Sequence, residues 1–267
     1  MEKKVAVIIP FYREELLHNE SVSLHQCFKI LGNHTIIAIK PERLVLPETI
    51  TQYPFSKITS FNNSFFANVQ GYNRLMLSAE FYDKFIDYKY VLLYQLDAFV
   101  FKDELLYWCN QDFDYIGAPW MRKKQYPNII IATLSKGLQY FAKRYDIKKH
   151  GLPSKKQFDD SVGNGGFSLR HVPLFYKICV EHREKIIEYN KHTTHHFNED
   201  AFWGIEVNRK KRVLNIPDYA TALKFAFEMA PGRAYKINNS QLPFGCHAWD
   251  KHIDFWKDIF KQQGYTI

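Results

Sequence analysis

The chain has 267 residues, 46% of them hydrophobic, which suffices for one substantial α/β domain with a real core. Its formal net charge of +8 favours an anionic companion, whether a nucleoside diphosphate, an acidic glycan, a phospholipid surface or nucleic acid. Four scattered cysteines, Cys27, Cys109, Cys179 and Cys246, have no CxxC spacing, which excludes a zinc knuckle or thioredoxin-like motif and fits a reducing compartment.

The run Val5–Ile9 is continuous, apolar and β-rich, and Pro10 ends it. It predicts a buried parallel strand whose end opens into a ligand-binding loop containing Phe11, Tyr12 and Arg13. The same stretch is too short for a signal peptide or membrane span, so a cytoplasmic protein is expected. Leu16, Leu17, Val22, Leu24, Cys27, Phe28 and Leu31 follow helical periodicity up to Gly32, and a second strand is expected over Thr35–Ile39. This is a βαβ opening. Another helix is predicted over Phe66–Phe85, feeding a strand Tyr90–Leu96 that ends at Asp97.

A short strand and turn are expected over Phe113–Pro119. The basic stretch Arg122–Lys156, with its apolar patch Ile129–Ile131 and a helix-like piece Leu138–Tyr145, reads as a lid or acceptor-recognition insertion or as a solvated basic face. No amphipathic anchor stands out, so membrane contact is expected to be peripheral at most. A helix over Val172–Tyr189 takes Pro173 in its first turn. In the tail, Trp249, Ile253, Trp256 and Phe260 form a helical stripe that should dock on the domain.

Three elements carry chemistry. Gln95-Leu96-Asp97 places a carboxylate where a buried strand emerges at the rim of the sheet; such an oxygen suits a hard divalent cation, although a turn-capping aspartate gives the same pattern. Gly163-Asn164-Gly165-Gly166 supplies glycines where the backbone must approach something closely, or simply a tight turn. Glu199-Asp200, before Phe202 and Trp203, is an acidic pair that complements a helix dipole or, in a partly dry pocket, takes a proton from a sugar hydroxyl; Trp203 offers a face on which a sugar ring stacks.

In this order the elements resemble the GT-A glycosyltransferases. Val5–Tyr12 is similar to their first nucleotide-binding strand, Gln95–Asp97 to their DxD metal motif, Gly163–Ser168 to their glycine-rich acceptor and donor loop, and Glu199-Asp200 to their acidic catalytic motif. More narrowly, the pattern resembles the DUF5672 group of bacterial glycosyltransferase-like proteins over most of the chain. The resemblance implies one α/β domain with a mostly parallel central sheet flanked by helices. It divides into a nucleotide-sugar-binding half over 1–120, the basic insertion over 121–160 and an acceptor and catalytic half over 161–267.

It further implies a nucleoside diphosphate sugar donor, a glycan or lipid-linked glycan acceptor, and a role in bacterial surface polysaccharide synthesis. Pro10, Phe11, Tyr12, Arg13, Arg74, Gln95 and Asp97 would bind the donor, and Mn2+ or Mg2+ would sit on Asp97 and His247. Asn164, Gly165, Gly166 and Trp203 would form the acceptor and donor loop. Asp200 would act as general base with Glu199 supporting the acceptor, and the Glu-Asp-x-Phe-x-Gly pattern is closer to inverting members. Gln95, where DxD has its first acid, is a neutral and weaker ligand. It leaves open a catalytically inactive scaffold that binds glycan or nucleotide. A nucleic-acid-binding protein is the remaining alternative, and it leaves Asp97 and Glu199-Asp200 without a role.

Overall fold

A computed structural model describes residues 3–122 and 127–267. Its centre is a six-stranded sheet. β1 (Lys3–Pro10) lies between β2 (Thr35–Pro41) and β4 (Tyr88–Tyr94), β3 (Lys57–Phe61) forms one edge beyond β2, and Phe167–His171 and Tyr115–Gly117 continue the sheet beyond β4. β1 to β4 run parallel; Phe167–His171 is antiparallel to both of its neighbours. The fold is therefore α/β with a mostly parallel central sheet flanked by helices.

The two-residue period of a strand explains why β1 has no polar face. Val5, Val7 and Ile9 point into one apolar cluster while Ala6 and Ile8 point into the other, and β4 divides Tyr90, Leu92 and Tyr94 from Val91 and Leu93 in the same way. Helix α1 (His18–Leu31) closes the βαβ unit, with Val22, Leu24, Cys27 and Leu31 buried. The expected βαβ opening is thus present.

Several boundaries differ from expectation for local reasons. The helix expected over Phe66–Phe85 is two helices, Val69–Met76 and Ala79–Asp83, because Ser78 accepts from the Phe81 amide at 3.1 Å and starts a new helix. The helix over Val172–Tyr189 likewise divides at His182, whose φ of −102° and ψ of 23° are not helical. β3 lacks an apolar run, since only alternate residues of this edge strand are buried, and the sequence pattern does not show it. Residues 123–126 of the basic stretch lie outside the described residues. Beyond them, the Ile129–Ile131 patch and the Leu138–Tyr145 piece up to Arg144 belong to one continuous helix, Ile129–Arg144, and Tyr145 caps its end.

The tail docks as the stripe predicts, through Trp249, Trp256 and Phe260, although Ile253 stays 39% exposed. Phe260 stacks on Phe99 at 4.0 Å and packs at a tilt against Trp249 at 4.8 Å. These rings cover a small three-stranded sheet made of Phe99–Val100, Gly245–Cys246 and Ala226–Phe227, which organises the site.

Candidate active site

Residues far apart in sequence are brought together by the register of that small sheet. Cys246 pairs antiparallel with Phe99 and parallel with Phe227, so His247 emerges beside the turn that holds Asp97, and Glu228 emerges beside His247. The imidazole Nε2 stands 3.1 Å from Asp97 Oδ1 and 3.2 Å from Gln95 Oε1, while Nδ1 stands 3.0 Å from Glu228 Oε2. Burial would lower the His247 pKa, but the carboxylates of Asp97 and Glu228 outweigh it and raise it well above the usual histidine value. For Asp97, burial pushes the pKa up, and the His247 charge overrides it and holds the group below the usual carboxylate range.

The glycine loop closes the site from the other side. The Gln95 backbone N–H donates to the Gly166 carbonyl over 2.8 Å, continuing the ladder from Tyr94–Phe167. A β-carbon on Gly166 would lie 2.0 Å from His247 Nε2, and one on Gly165 would lie 1.8 Å from Glu199 Oε1. Asn164 takes a left-handed φ of 56° and donates from its side-chain amide to the Ala118 carbonyl over 2.9 Å. Close approach, anticipated from the glycines, is what these residues permit.

Glu199 and Asp200 start a helical turn, Glu199–Ala201, that widens into a π-helix over Phe202–Glu206. Their environments diverge. Glu199 is buried and accepts from the fully buried guanidinium of Arg170 at 2.9 Å, and its backbone N–H donates to the Asn73 side chain over 3.2 Å. Arg170 also donates to the Tyr82 hydroxyl and to Ser168. The second oxygen of Glu199, Oε2, is buried without a protein partner among the described residues. Asp200 has no basic partner among the described residues. Burial, then the negative charges of Glu199 and Glu228, push its pKa up to about 7.

A cavity of about 510 Å³ joins these groups, bounded by Tyr12, Tyr72, Asn164, Asp97, Asp200 and His247, with Gln95, Gly165, Gly166, Glu199 and Glu228 also in its wall. A second cavity, of about 430 Å³, adjoins it through Tyr12, Gln95 and Asp97 and is bounded further by Arg13, Leu16, Leu17 and Asp250. Both open at the C-terminal ends of β1 and β4, the usual place for ligands in parallel sheets.

Other residues expected at the site lie elsewhere. Pro10 and Phe11 are buried; Phe11 belongs to the core and packs edge-on against Phe55 at 5.8 Å. Arg74 donates to the Ser64 carbonyl at 3.4 Å and does not border either cavity. Trp203 is not a sugar platform: it is fully buried, its ring 4.1 Å from that of Phe175 and edge-on to Tyr82, because the π-helix turns it inward. Arg13 borders the second cavity while pairing with Glu20 at 2.7 Å. Glu228, Arg170 and Lys251, which borders the larger cavity, were not singled out from the sequence.

Among the described residues no group of three or more His, Cys, Asp and Glu side chains gathers as a metal site. The donor set here instead combines an imidazole nitrogen, a carboxylate oxygen and the Gln95 amide oxygen, with His247 oriented by Glu228 through its other nitrogen. With Nε2 deprotonated, these two oxygens and one nitrogen would fit a divalent cation such as Mn2+ or Mg2+, and the cation would have to displace the proton that Asp97 and Glu228 favour on His247.

The fold is that of the GT-A glycosyltransferases. The galactosyltransferase LgtC, solved with donor and acceptor sugar analogues, aligns with a TM-score of 0.51 at 12% identity, over 91% of this chain and 86% of that one. Mouse xyloside xylosyltransferase 1 in its apo form aligns with a TM-score of 0.51 at 10% identity, over 92% of this chain and 97% of that one. At such identities the likeness is one of fold. The chain itself belongs to the DUF5672 family, described as a protein of unknown function, whose family model matches residues 55–247. No curated protein matches it in sequence.

Proposed function

We propose that this protein transfers a sugar from a nucleoside diphosphate sugar to a hydroxyl of a glycan or lipid-linked glycan. The observation that carries this reading is the convergence in one cavity of the Gln95–Asp97–His247 donor set with the Asp200 carboxylate, whose pKa is pushed up to about 7.

In this reading the nucleoside occupies the smaller cavity, against Tyr12, Arg13, Leu16 and Leu17, and the sugar reaches past Asp97 into the larger one. Gln95, Asp97 and His247 would hold a divalent cation, with Glu228 fixing the imidazole. A bound cation supplies positive charge against the departing diphosphate. Lys251, at the wall of the same cavity, adds a charge-assisted donor to the phosphates.

Asp200 takes the proton from the acceptor hydroxyl, and the hydroxyl oxygen forms the new bond to the anomeric carbon as the bond from that carbon to the diphosphate breaks. A carboxylate that titrates near neutrality is a stronger base than an ordinary one and is still largely ionised in mildly alkaline solution. Glu199, its charge already matched by Arg170, stands in the wall of the same cavity and supports the acceptor beside Asp200. A base that activates the acceptor directly corresponds to an inverting displacement.

The test is a panel of nucleotide sugars assayed for thermal stabilisation and nucleoside diphosphate release, with and without manganese. Stabilisation by one donor class together with release that Asp200→Asn abolishes supports the reading; turnover unchanged in that variant removes Asp200 from its role.

A further inference from the structure

The helix Ile129–Arg144 is amphipathic the wrong way round for a helix packed on a protein core. Ile130, Leu134, Leu138, Phe141 and Tyr145 step by four, four, three and four, so they lie along one face. That face points away from the protein: the five side chains are 68%, 65%, 64%, 55% and 67% exposed. The side turned inward is polar or small. Ser135 and Ala142 are buried, and Gln139 donates to Ser161 Oγ at 3.2 Å. A contiguous apolar stripe of this length on the surface marks a site of contact.

Charge indicates what it contacts. The helix carries no acidic residue; Arg144 borders its stripe, and Lys148 and Lys149 follow in an exposed hairpin with Leu152–Pro153, whereas Lys143 turns inward, where burial pulls its pKa down to about 8. The one acid within this segment, Asp146, is engaged by Arg209 at 3.3 Å and Lys148 at 3.5 Å. An apolar stripe with a basic rim at its C-terminal end, Arg144, Lys148 and Lys149, matches the acyl–headgroup boundary of an anionic bilayer. A second copy of the same face would bring like charges together. No helix among the described residues is long and apolar enough to cross a membrane, so this one would lie along the surface.

We propose that the helix Ile129–Arg144 docks the protein on anionic lipid surfaces, with the apolar stripe inserted and the basic rim on the headgroups. Gln139 ties the helix to the strand Ser161–Val162, which runs directly into the Gly163–Gly166 loop, so docking places the cavity close to the lipid. The proposal rests on exposure and charge, and holds independently of the transferase reading.

The experiment is co-sedimentation of the full chain with phosphatidylcholine vesicles, pure or containing about a third phosphatidylglycerol. The anionic vesicles should pellet the protein and the neutral ones should not, and raised salt should weaken the binding. Leu138→Glu with Phe141→Glu should reduce binding at least about tenfold, and Lys148→Gln with Lys149→Gln severalfold, with melting temperatures unchanged because all four side chains are exposed. Failure to bind anionic vesicles at low salt, equal binding by the apolar-face variant, or a wild-type dimer that this variant dissolves would each overturn the proposal. The last outcome would assign the face to a second copy of the chain.

Discussion

Gly166 lies across the antiparallel ladder from Gln95, and its missing side chain is what lets the Gln95 amide oxygen and His247 Nε2 come within 3.2 Å of each other. A methyl group there would stand 2.0 Å from Nε2 and 2.6 Å from Oε1. Gly166→Ala should therefore displace both donors. Stabilisation by manganese with a nucleoside diphosphate should vanish in a thermal-shift assay, and transfer should fall by about 100-fold or more, as expected when positioned groups are displaced by an ångström.

Asp200 should leave a signature in stability as well as in rate. Its folded pKa of about 7 lies above the ordinary aspartate value of 3.8, so the native state retains a proton that the unfolded chain has lost. Stability from this group is complete below the unfolded value and declines as pH rises to about 7. Asp200→Asn removes the penalty: it should melt higher than wild type at pH about 8, by up to ~4 kcal/mol at about 1.4 kcal/mol per pKa unit, and match it near pH ~4. An equal difference at both pH values would refute the shifted titration.

The Arg170–Glu199 pair should prove structural as well as functional. Its guanidinium is fully buried and binds Glu199, Ser168 and Tyr82 together. Arg170→Met should cost about 3–5 kcal/mol by leaving a buried carboxylate unpaired, read as a lower urea midpoint. An exposed ion pair would cost far less.

Trp203→Ala should behave as a core truncation. The ring is enclosed by Phe175, Tyr82 and Phe202. A loss of about 3–5 kcal/mol in denaturant unfolding is expected. A normal unfolding midpoint combined with a raised KM for acceptor would instead return Trp203 to the sugar site.

How much of this was legible in the sequence follows from the range of the interactions. Asp97 was readable because it ends a continuous apolar strand, and Glu199-Asp200 because the two acids are adjacent. Their division of labour was not, since it depends on Arg170 reaching Glu199 from a strand inserted antiparallel beside β4. Glu228 follows a strand of two residues, too short to show a period. Trp203 suggested a ligand platform because aromatic residues near acids suit sugars, but a π-helix turns it inward. The helix Ile129–Arg144 escaped because Gly137 interrupts its sequence pattern and its apolar residues face outward, so the pattern reads as disconnected pieces. Local periodicity reveals strands and caps; pairing across long loops does not register in it.

The most direct measurement is nucleoside diphosphate release from a panel of nucleotide sugars in the presence of manganese and a glycan acceptor, for the wild type and for folded Asp97→Asn and Asp200→Asn. One donor class should be turned over by the wild type, with the rate at least about 100-fold lower in each variant. Turnover that survives in both variants, or a wild type that neither binds nor cleaves any nucleotide sugar in the panel, would contradict the assignment of this cavity to sugar transfer.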